Sequence, residues 1–214
     1  MRVNLRLFIL QTTNPWQSAL QLRYNRPAKG GKEHEEYLIL TGSPRVGGNS
    51  DLMADAFQKG AESAGHKVIR YEAGRNAILP CRACESCFSN GKACVWDDRF
   101  SNELAPLIEE ADVIVLATPL YWFTFPAQLK AAIDKMYSFI IGERNIAGKE
   151  AFLLICAEDT DNHSYDGVLR SYELITDYCK WHDRGKLTVT GVSGKGEILN
   201  TDALQKAEKM GQSV

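Results

Sequence analysis

From Tyr37 onward, short apolar segments rich in β-branched residues alternate with longer segments of helical periodicity. Such alternation is typical of βαβ units, in which parallel strands form one sheet and helices cover both of its faces. Three of the five predicted strands are nearly continuously apolar, as buried parallel strands are. The pattern therefore predicts a three-layer α/β/α sandwich around a five-stranded parallel sheet. The predicted strands are Tyr37–Thr41, Lys67–Glu72, Asp112–Thr118, Ala151–Ala157 and Leu187–Val192.

The segments between the strands predict the helices. Apolar residues recur on one side of Ser50–Ala64, Ala127–Ile140 and Asp166–Trp181, so each of these helices can cover a sheet face. Shorter helices are expected at Asn102–Glu110 and Thr201–Gly211. The apolar face of Ala127–Ile140 also suggests that the chain forms a homo-oligomer, a dimer or a tetramer.

Residues 1–35 differ in composition from the rest of the chain. They hold six Lys or Arg residues and two Glu residues, and Asn14-Pro15, Arg26-Pro27 and Gly30-Gly31 interrupt any periodicity. This stretch is interpreted as an irregular N-terminal arm, followed by one domain over residues 36–214.

The charge balance and the lengths of the apolar runs exclude several classes of partner. The 25 Lys and Arg residues against 27 Asp and Glu residues give a net charge of −2, so no basic field favours nucleic acid or an anionic membrane. No apolar run approaches the ~20 residues of a spanning helix. The apolar run Leu7–Leu10 is short and has no cleavage site after it, unlike a secretory signal. A cytoplasmic protein without nucleic-acid or membrane partners is expected.

The loop after the first predicted strand, Thr41 to Ser50, has the composition of a phosphate cradle. Hydroxyl, amide and guanidinium groups and several glycines precede a helix whose free N–H groups attract an anion. The alternative is an ordinary turn with Asn49 or Ser50 as the helix cap. The candidate ligands are Ser43, Arg45, Gly48, Asn49 and Ser50.

Other nucleotide-binding motifs fit this sequence less well. No Lys follows Gly47 or Gly48 as a P-loop requires, and no Gly-x-Gly-x-x-Gly occurs, so an ATPase is disfavoured. Glu72 could imitate the ribose-binding acid of a dinucleotide fold. A Rossmann dehydrogenase therefore remains a competitor.

The loop after the third predicted strand, Thr118 to Pro126, holds four aromatic residues within five positions. Such rings can pack beneath the following helix or at a subunit interface. A flat aromatic ligand explains them better, because Tyr121, Trp122 and Phe123 offer faces for stacking and backbone amides for a polar ring edge.

Three segments, LTGSPRVGGNS, ADVIVLATPLYWFTFPAQLKAAIDKMY and GVSGKGEI, together resemble the flavodoxin-like NADPH-dependent FMN reductase family. The resemblance covers about Tyr37 to Gly211 and implies a flavodoxin-like sheet with strand order 2-1-3-4-5. It implies FMN as cofactor, with its phosphate in the first loop and its isoalloxazine against the aromatic loop and the loop after strand four. Beyond the first loop, the implied FMN-binding residues are Pro119, Leu120, Tyr121, Trp122, Phe123, Ala157 and Glu158.

The activity that this resemblance implies is transfer of electrons from NAD(P)H through FMN to a small-molecule acceptor. Quinones, nitro or azo compounds, free flavin and electron carriers are the expected acceptors. Because flavin N5 accepts the hydride, no catalytic side chain is assigned. Two alternatives stay open: a flavodoxin-like electron carrier without NAD(P)H activity, and a nucleotide- or metal-binding regulatory module.

Four cysteines, Cys81, Cys84, Cys87 and Cys94, lie within 14 residues in a C-x2-C-x2-C-x6-C spacing. Four thiolates can hold one [4Fe–4S] cluster. The segment resembles the cysteine motif of iron-sulfur flavoproteins, which implies such a cluster. A zinc ion on the same thiolates, free or redox-active thiols, and disulfides formed on oxidation are the alternatives.

Three further residues of reactive type are assigned no chemical role. Cys156 lies inside a predicted strand and Cys179 on the core side of a helix, so both are expected to be buried as hydrophobes. His163 is interpreted as a surface residue.

Overall fold

Five parallel strands form one sheet in the order β2-β1-β3-β4-β5. The number of strands, their direction and their order confirm the prediction. The order also differs from the 3-2-1-4-5-6 arrangement of the Rossmann fold, so the dehydrogenase alternative is wrong. The computed structural model describes residues 34–213. Its strands are β1 Glu36–Thr41, β2 Lys67–Tyr71, β3 Val113–Pro119, β4 Glu150–Cys156 and β5 His182–Val189.

The three central strands are buried on both faces, which explains their continuous apolar sequences. Successive side chains point to opposite faces of a strand and so enter two separate cores. Leu38, Ile114 and Leu153 belong to one core. Their neighbours Tyr37, Val113 and Phe152 belong to the other.

Helices cover both faces of the sheet. Helices α1 and α6 pack on the core that contains Tyr37, and α2 to α5 pack on the core that contains Leu38. The helices are α1 Asn49–Ser63, α2 Ala105–Glu110, α3 Ala127–Lys135, α4 Tyr137–Ile141, α5 Asp166–Cys179 and α6 Ala203–Gly211. A π-helical turn spans Phe100–Leu104, and short 3-10 helices span Asn162–Tyr165 and Glu197–Asn200.

Strand β5 begins and ends earlier in the chain than the predicted strand Leu187–Val192. It pairs with β4 from His182 to Val189, and a register shift occurs beside Ala151 and Phe152. Because β5 is an edge strand with much of its surface exposed, polar residues are acceptable there and the apolar pattern gave no guidance. Residues Thr190 to Val192, predicted as strand, instead form a loop.

Two predicted helices also differ from the structure. The segment Ala127–Ile140 divides at Met136, whose N–H donates to the carbonyl of Ile133, three residues back rather than four. The helix expected from Asn102 follows a wide π-helical turn, since Pro106 has no N–H to donate four residues back.

The apolar side of α3 is used within the chain's own core. Leu129, Ala132 and Ile133 are all buried there. This face is therefore not a free surface for a second copy, and the expected homo-oligomer rests on the family resemblance.

The predicted N-terminal arm, residues 1–35, lies almost entirely outside the described residues. Among the helices of residues 34–213, none is both long enough and apolar enough to cross a membrane.

Candidate functional site

Loops that follow β1, β3, β4 and β5 enclose a cavity of about 490 Å³ at the carboxyl edge of the sheet. Ligands of open α/β sheets bind at this edge. Eleven of the twelve predicted FMN-binding residues line it, and Phe123 is the exception. The lining residues are Ser43, Arg45, Gly48, Asn49, Ser50, Pro119, Leu120, Tyr121, Trp122, Cys156, Ala157, Glu158, Val192, Ser193 and Lys195.

Backbone hydrogen bonds join the loops around the cavity. Gly42 N donates to Ala117 O, and Leu120 N donates to Cys156 O, each at 2.9 Å. Gly42 also permits a close approach, because a Cβ there would lie 2.4 Å from Thr118 Oγ1. The walls are therefore connected before any ligand binds.

The first loop presents hydrogen-bond donors to one end of the cavity. Gly47 adopts a φ of +63°, which glycine tolerates best. Gly48 is the N-cap of α1 and has no side chain to cap it. The interpretation of Asn49 or Ser50 as an ordinary cap is therefore wrong, and the first N–H groups of α1 stay available to an anion.

Two cations stand at this end of the cavity. Arg45 is exposed, and Lys195 reaches towards Gly47 from the loop after β5. Within residues 34–213, neither side chain forms an ion pair. Unpaired cations beside a helix N-terminus favour a phosphate ligand.

Lys195 is a lining residue that the sequence interpretation missed. The sequence feature that could have identified Lys195 is its position between Gly194 and Gly196, in a segment that follows a strand at the ligand-binding edge of the sheet. Glycines on both sides of a lysine let backbone and ammonium approach a ligand together.

Asn49 has a structural connection that the sequence did not reveal. Its Nδ2 donates to Gly194 O at 3.0 Å, and its Oδ1 accepts from Gly196 N at 3.0 Å and Ile198 N at 3.3 Å. The amide thus ties the loop carrying Lys195 to the start of α1. Part of its hydrogen-bonding capacity is therefore engaged within the protein.

Asp51, at the start of α1, fixes the first loop through hydrogen bonds and ion pairs. Its Oδ2 accepts from Gly47 N at 2.9 Å and from Arg75 Nη1 at 3.0 Å, and Arg70 pairs with Oδ1. The Asp51 side chain is only 5% exposed. Glu72 pairs with Arg75, which holds the pKa of the Glu72 carboxyl below its usual range.

The aromatic wall is a tight turn. Tyr121 N donates to Thr124 O and Thr124 N donates to Tyr121 O, both at 3.0 Å. The two central residues, Trp122 and Phe123, have φ values of +47° and +65°, the signature of a type I′ turn. Such turns favour Asn and Gly, so aromatic residues here are strained. Trp122 is 91% exposed and Phe123 55%.

The remaining wall comes from the ends of β4 and β5. Val192 N donates to Ala157 O at 2.9 Å, and Ser193 Oγ donates to Glu158 at 2.9 Å. Cys156 also lines the cavity, and burial raises the pKa of its thiol to about 12. This thiol stays neutral at physiological pH, so Cys156 contributes apolar surface.

The four clustered cysteines lie in a loop between β2 and the π-helical turn, and none of them lines the cavity. All four are free thiols. Burial raises the pKa of the Cys87 thiol, and the charges of Cys94, Cys81 and Cys84 raise it further. Among the described residues, no three His, Cys, Asp or Glu side chains form a group that could hold a metal ion.

The backbone of this cysteine loop is compatible with wrapping around a ligand. Ala83 and Glu85, on either side of Cys84, both have positive φ. Two left-handed residues so close together turn the chain sharply, and for non-glycine residues this costs free energy. Four thiols in one sharply turned loop are the donor set that a [4Fe–4S] cluster uses.

The remaining reactive residues lie where the sequence predicted. Cys156 and Cys179 are 3% and 7% exposed, which confirms them as buried. The His163 side chain is 87% exposed and pairs with Asp166, which raises the pKa of the imidazole.

A model of the Flavodoxin_2 family, described by its flavodoxin-like fold, matches residues 35–214. The chain belongs to this family. The resemblance inferred from three segments of the sequence is therefore confirmed at the level of the family.

Among curated proteins, an iron-sulfur flavoprotein of Archaeoglobus fulgidus is 36% identical over 100 residues, covering 47% of this chain and 44% of that protein. An iron-sulfur flavoprotein of Methanosarcina thermophila is 33% identical over 110 residues, covering 51% and 56%. The chain thus matches about half the length of these relatives.

Among solved structures, an NAD(P)H:quinone oxidoreductase from Methanothermobacter marburgensis superposes with a TM-score of 0.67 at 19% identity, covering 84% of this chain and 98% of that one. The azoreductase AzrA superposes with a TM-score of 0.58 at 15% identity, covering 84% and 100%. At these identities the likeness concerns the fold.

Proposed function

We propose that this protein is an FMN-dependent NAD(P)H oxidoreductase that reduces a small-molecule acceptor. The observation that carries the proposal is the cavity itself. At one end it has two cations and helix N–H groups that find no partner among residues 34–213, and it has aromatic residues on its wall. Its volume of about 490 Å³ suits a ligand of FMN's size.

The residues present fit FMN in two ways. Ser43, Arg45 and the first N–H groups of α1 offer a phosphate both hydrogen bonds and charge. Tyr121 and Trp122 offer aromatic surface to the ring. When bound, FMN supplies hydride and electron transfer.

The protein's own residues position the cofactor rather than move protons. The Trp122 N–H group lies in the turn of the aromatic wall and makes no backbone hydrogen bond with the described residues, so it is available to a polar ring edge. Cys156 and Ala157 add apolar surface to the cavity at the end of β4. Quinones, nitro and azo compounds, flavins and electron carriers remain the proposed acceptors, and a homo-oligomer the proposed assembly.

A second proposal is that the chain carries a [4Fe–4S] cluster on Cys81, Cys84, Cys87 and Cys94. The names of the two archaeal relatives, both called iron-sulfur flavoprotein, favour it. When bound, a cluster supplies one-electron transfer. Such a protein would deliver single electrons to a carrier.

The experiment that tests both proposals is an absorption spectrum of protein purified without oxygen, combined with iron and acid-labile sulfide assays. Flavin bands and oxidation of NAD(P)H with a generous acceptor are expected. About four irons per chain support the cluster. A colourless protein that stays colourless with added FMN overturns the flavin proposal, and flavin without oxidation of NAD(P)H indicates an electron carrier.

Replacing Arg45 with Ala is expected to weaken FMN binding about tenfold. A hydrogen bond to a charged group contributes about 1.5–3 kcal/mol, and the lower end applies to an exposed guanidinium. Titration of apoprotein with FMN, followed by quenching of flavin fluorescence, measures the change. Arg170→Ala is the matched control, because Arg170 is also exposed and pairs with Glu173 on α5. Equal affinities for wild type and Arg45→Ala contradict the assigned role.

A further inference from the structure

A buried ion pair adjoins the cysteine loop. Lys135, the last residue of α3, pairs with Asp98, and their side chains are only 3% and 4% exposed. The free energy needed to remove two charges from water can exceed the free energy gained from their attraction, so a buried ion pair often adds little to stability. This pair therefore invites a reason beyond stability.

Lys135 also reaches one of the clustered cysteines. Its Nζ lies 3.6 Å from Cys94 Sγ, within hydrogen-bonding range for sulfur. An ammonium has three donors and no acceptor, so it can serve Asp98 and Cys94 together. The Phe100 ring, fully buried, lies 5.8 Å from the same Nζ and helps to exclude water.

The sulfur of Cys94 is held in place against this ammonium. Cys94 N donates to Ser101 Oγ at 2.7 Å, and Ser101 Oγ donates back to Cys94 O at 2.9 Å. Ser101 is itself 6% exposed. Cys94 is therefore fixed on the core side of its loop, whereas Cys81 and Cys84 are exposed.

A fixed cation beside a ligating sulfur has a defined effect on a cluster. Adding one electron makes the cluster and its thiolates more negative, and no bond forms or breaks. Hydrogen bonds to the sulfurs and nearby charge set the reduction potential. These interactions are stronger in a site from which water is excluded.

We propose that Lys135, oriented by Asp98, donates a charge-assisted hydrogen bond to Cys94 Sγ and raises the reduction potential of a [4Fe–4S] cluster on the four cysteines. This inference rests on the second proposed function, the cluster itself. Asp98 is the positioning residue, because it orients Lys135, and the charge of the Lys135 ammonium stabilises the reduced form.

The test is an anaerobic redox titration of the iron-loaded protein, with the reduced cluster detected by its EPR signal. In Lys135→Gln the ratio of reduced to oxidised cluster at a fixed potential is expected to fall at least tenfold, a shift of about 59 mV for one electron. Lys135→Arg keeps the charge and is expected to keep most of the potential. Lys130→Gln, on the exposed side of the same helix, is the control and leaves it unchanged.

A second variant keeps the inference testable if Lys135→Gln cannot be loaded with iron. Asp98→Asn removes the anion and leaves the ammonium beside Cys94, so the potential is expected to rise. If the ion pair had only a structural role, the potential would not fall in Lys135→Gln and rise in Asp98→Asn. An unchanged or lower potential in Asp98→Asn, or an unchanged one in loaded Lys135→Gln, overturns the inference.

Failure of the inference and failure of the proposed function are distinguishable. Wild-type protein without iron and sulfide after anaerobic purification refutes the cluster, and the role of Lys135 with it. Wild-type protein with about four irons and a potential insensitive to residue 135 leaves the cluster standing and refutes only the role of Lys135.

Discussion

Replacing Asp51 with Ala is expected to lower the free energy of unfolding by about 3 kcal/mol. Removing one partner of a buried ion pair costs about 3–5 kcal/mol, and the lower end applies because both arginine partners keep some exposure. The side chains of Arg70 and Arg75 are each 18% exposed, against 5% for Asp51. Urea denaturation of the apoprotein, followed by circular dichroism, measures the loss.

Asp55→Ala is the matched control for this prediction. Asp55 lies one turn further along α1 and also pairs with Arg70, but its side chain is 58% exposed. Exposed pairs contribute about 0–1 kcal/mol, so the control is expected to unfold near the wild-type midpoint. Equal destabilisation of the two variants would show that Asp51 does not have the role described.

The same carboxylate also shapes the phosphate end of the cavity. Gly47 N donates to Asp51 and not to a ligand, so the loop is held in its conformation before binding. Asp51→Asn keeps an acceptor for this N–H and removes the charge. We expect it to retain more FMN affinity than Asp51→Ala, even where both lose stability.

Much of this architecture could be predicted from the sequence, because buried parallel strands and amphipathic helices have characteristic patterns of apolar residues. The predicted bounds of β1, β3 and β4 agree with the structure to within one residue at each end. Those of β5 do not, because this edge strand is specified by backbone pairing with β4, and backbone pairing leaves no apolar pattern in the sequence.

The sequence likewise predicted some parts of the candidate site and not others. Loops that directly follow strands were identified, since composition and position point to them together. Contacts between distant segments were not, and these include Asn49 to Gly194 and Lys135 to Cys94. A single sequence carries no signal for a hydrogen bond that spans 145 residues, so only the folded chain reveals it.

Phe123 illustrates a further limit, because the aromatic run gave no sign of where the chain turns. Trp122 and Phe123 occupy the two central positions of one turn, yet only Trp122 lines the cavity. Both residues have positive φ and are therefore strained, and the composition of the loop does not predict this backbone conformation.

The double variant Trp122→Asn with Phe123→Gly is expected to make the apoprotein more stable and its FMN binding weaker. Left-handed geometry costs non-glycine residues about 1–2 kcal/mol each, and Asn-Gly is the preferred pair for a type I′ turn. Few packing contacts are lost, because Trp122 is 91% exposed. Relief of strain is therefore expected to raise stability by about 2 kcal/mol, measured by thermal and urea unfolding of the apoprotein.

The loss of binding has a separate cause, the missing aromatic surface. Stacking of a nucleobase on an aromatic side chain contributes about 1–3 kcal/mol, so an FMN dissociation constant at least tenfold higher is expected. Trp122→Ala with Phe123→Ala separates the two effects, since alanine removes the rings and keeps the strain. That variant is expected to bind weakly without becoming more stable. If the turn served only the fold, the variants would alter stability and leave FMN affinity unchanged, which would contradict the prediction.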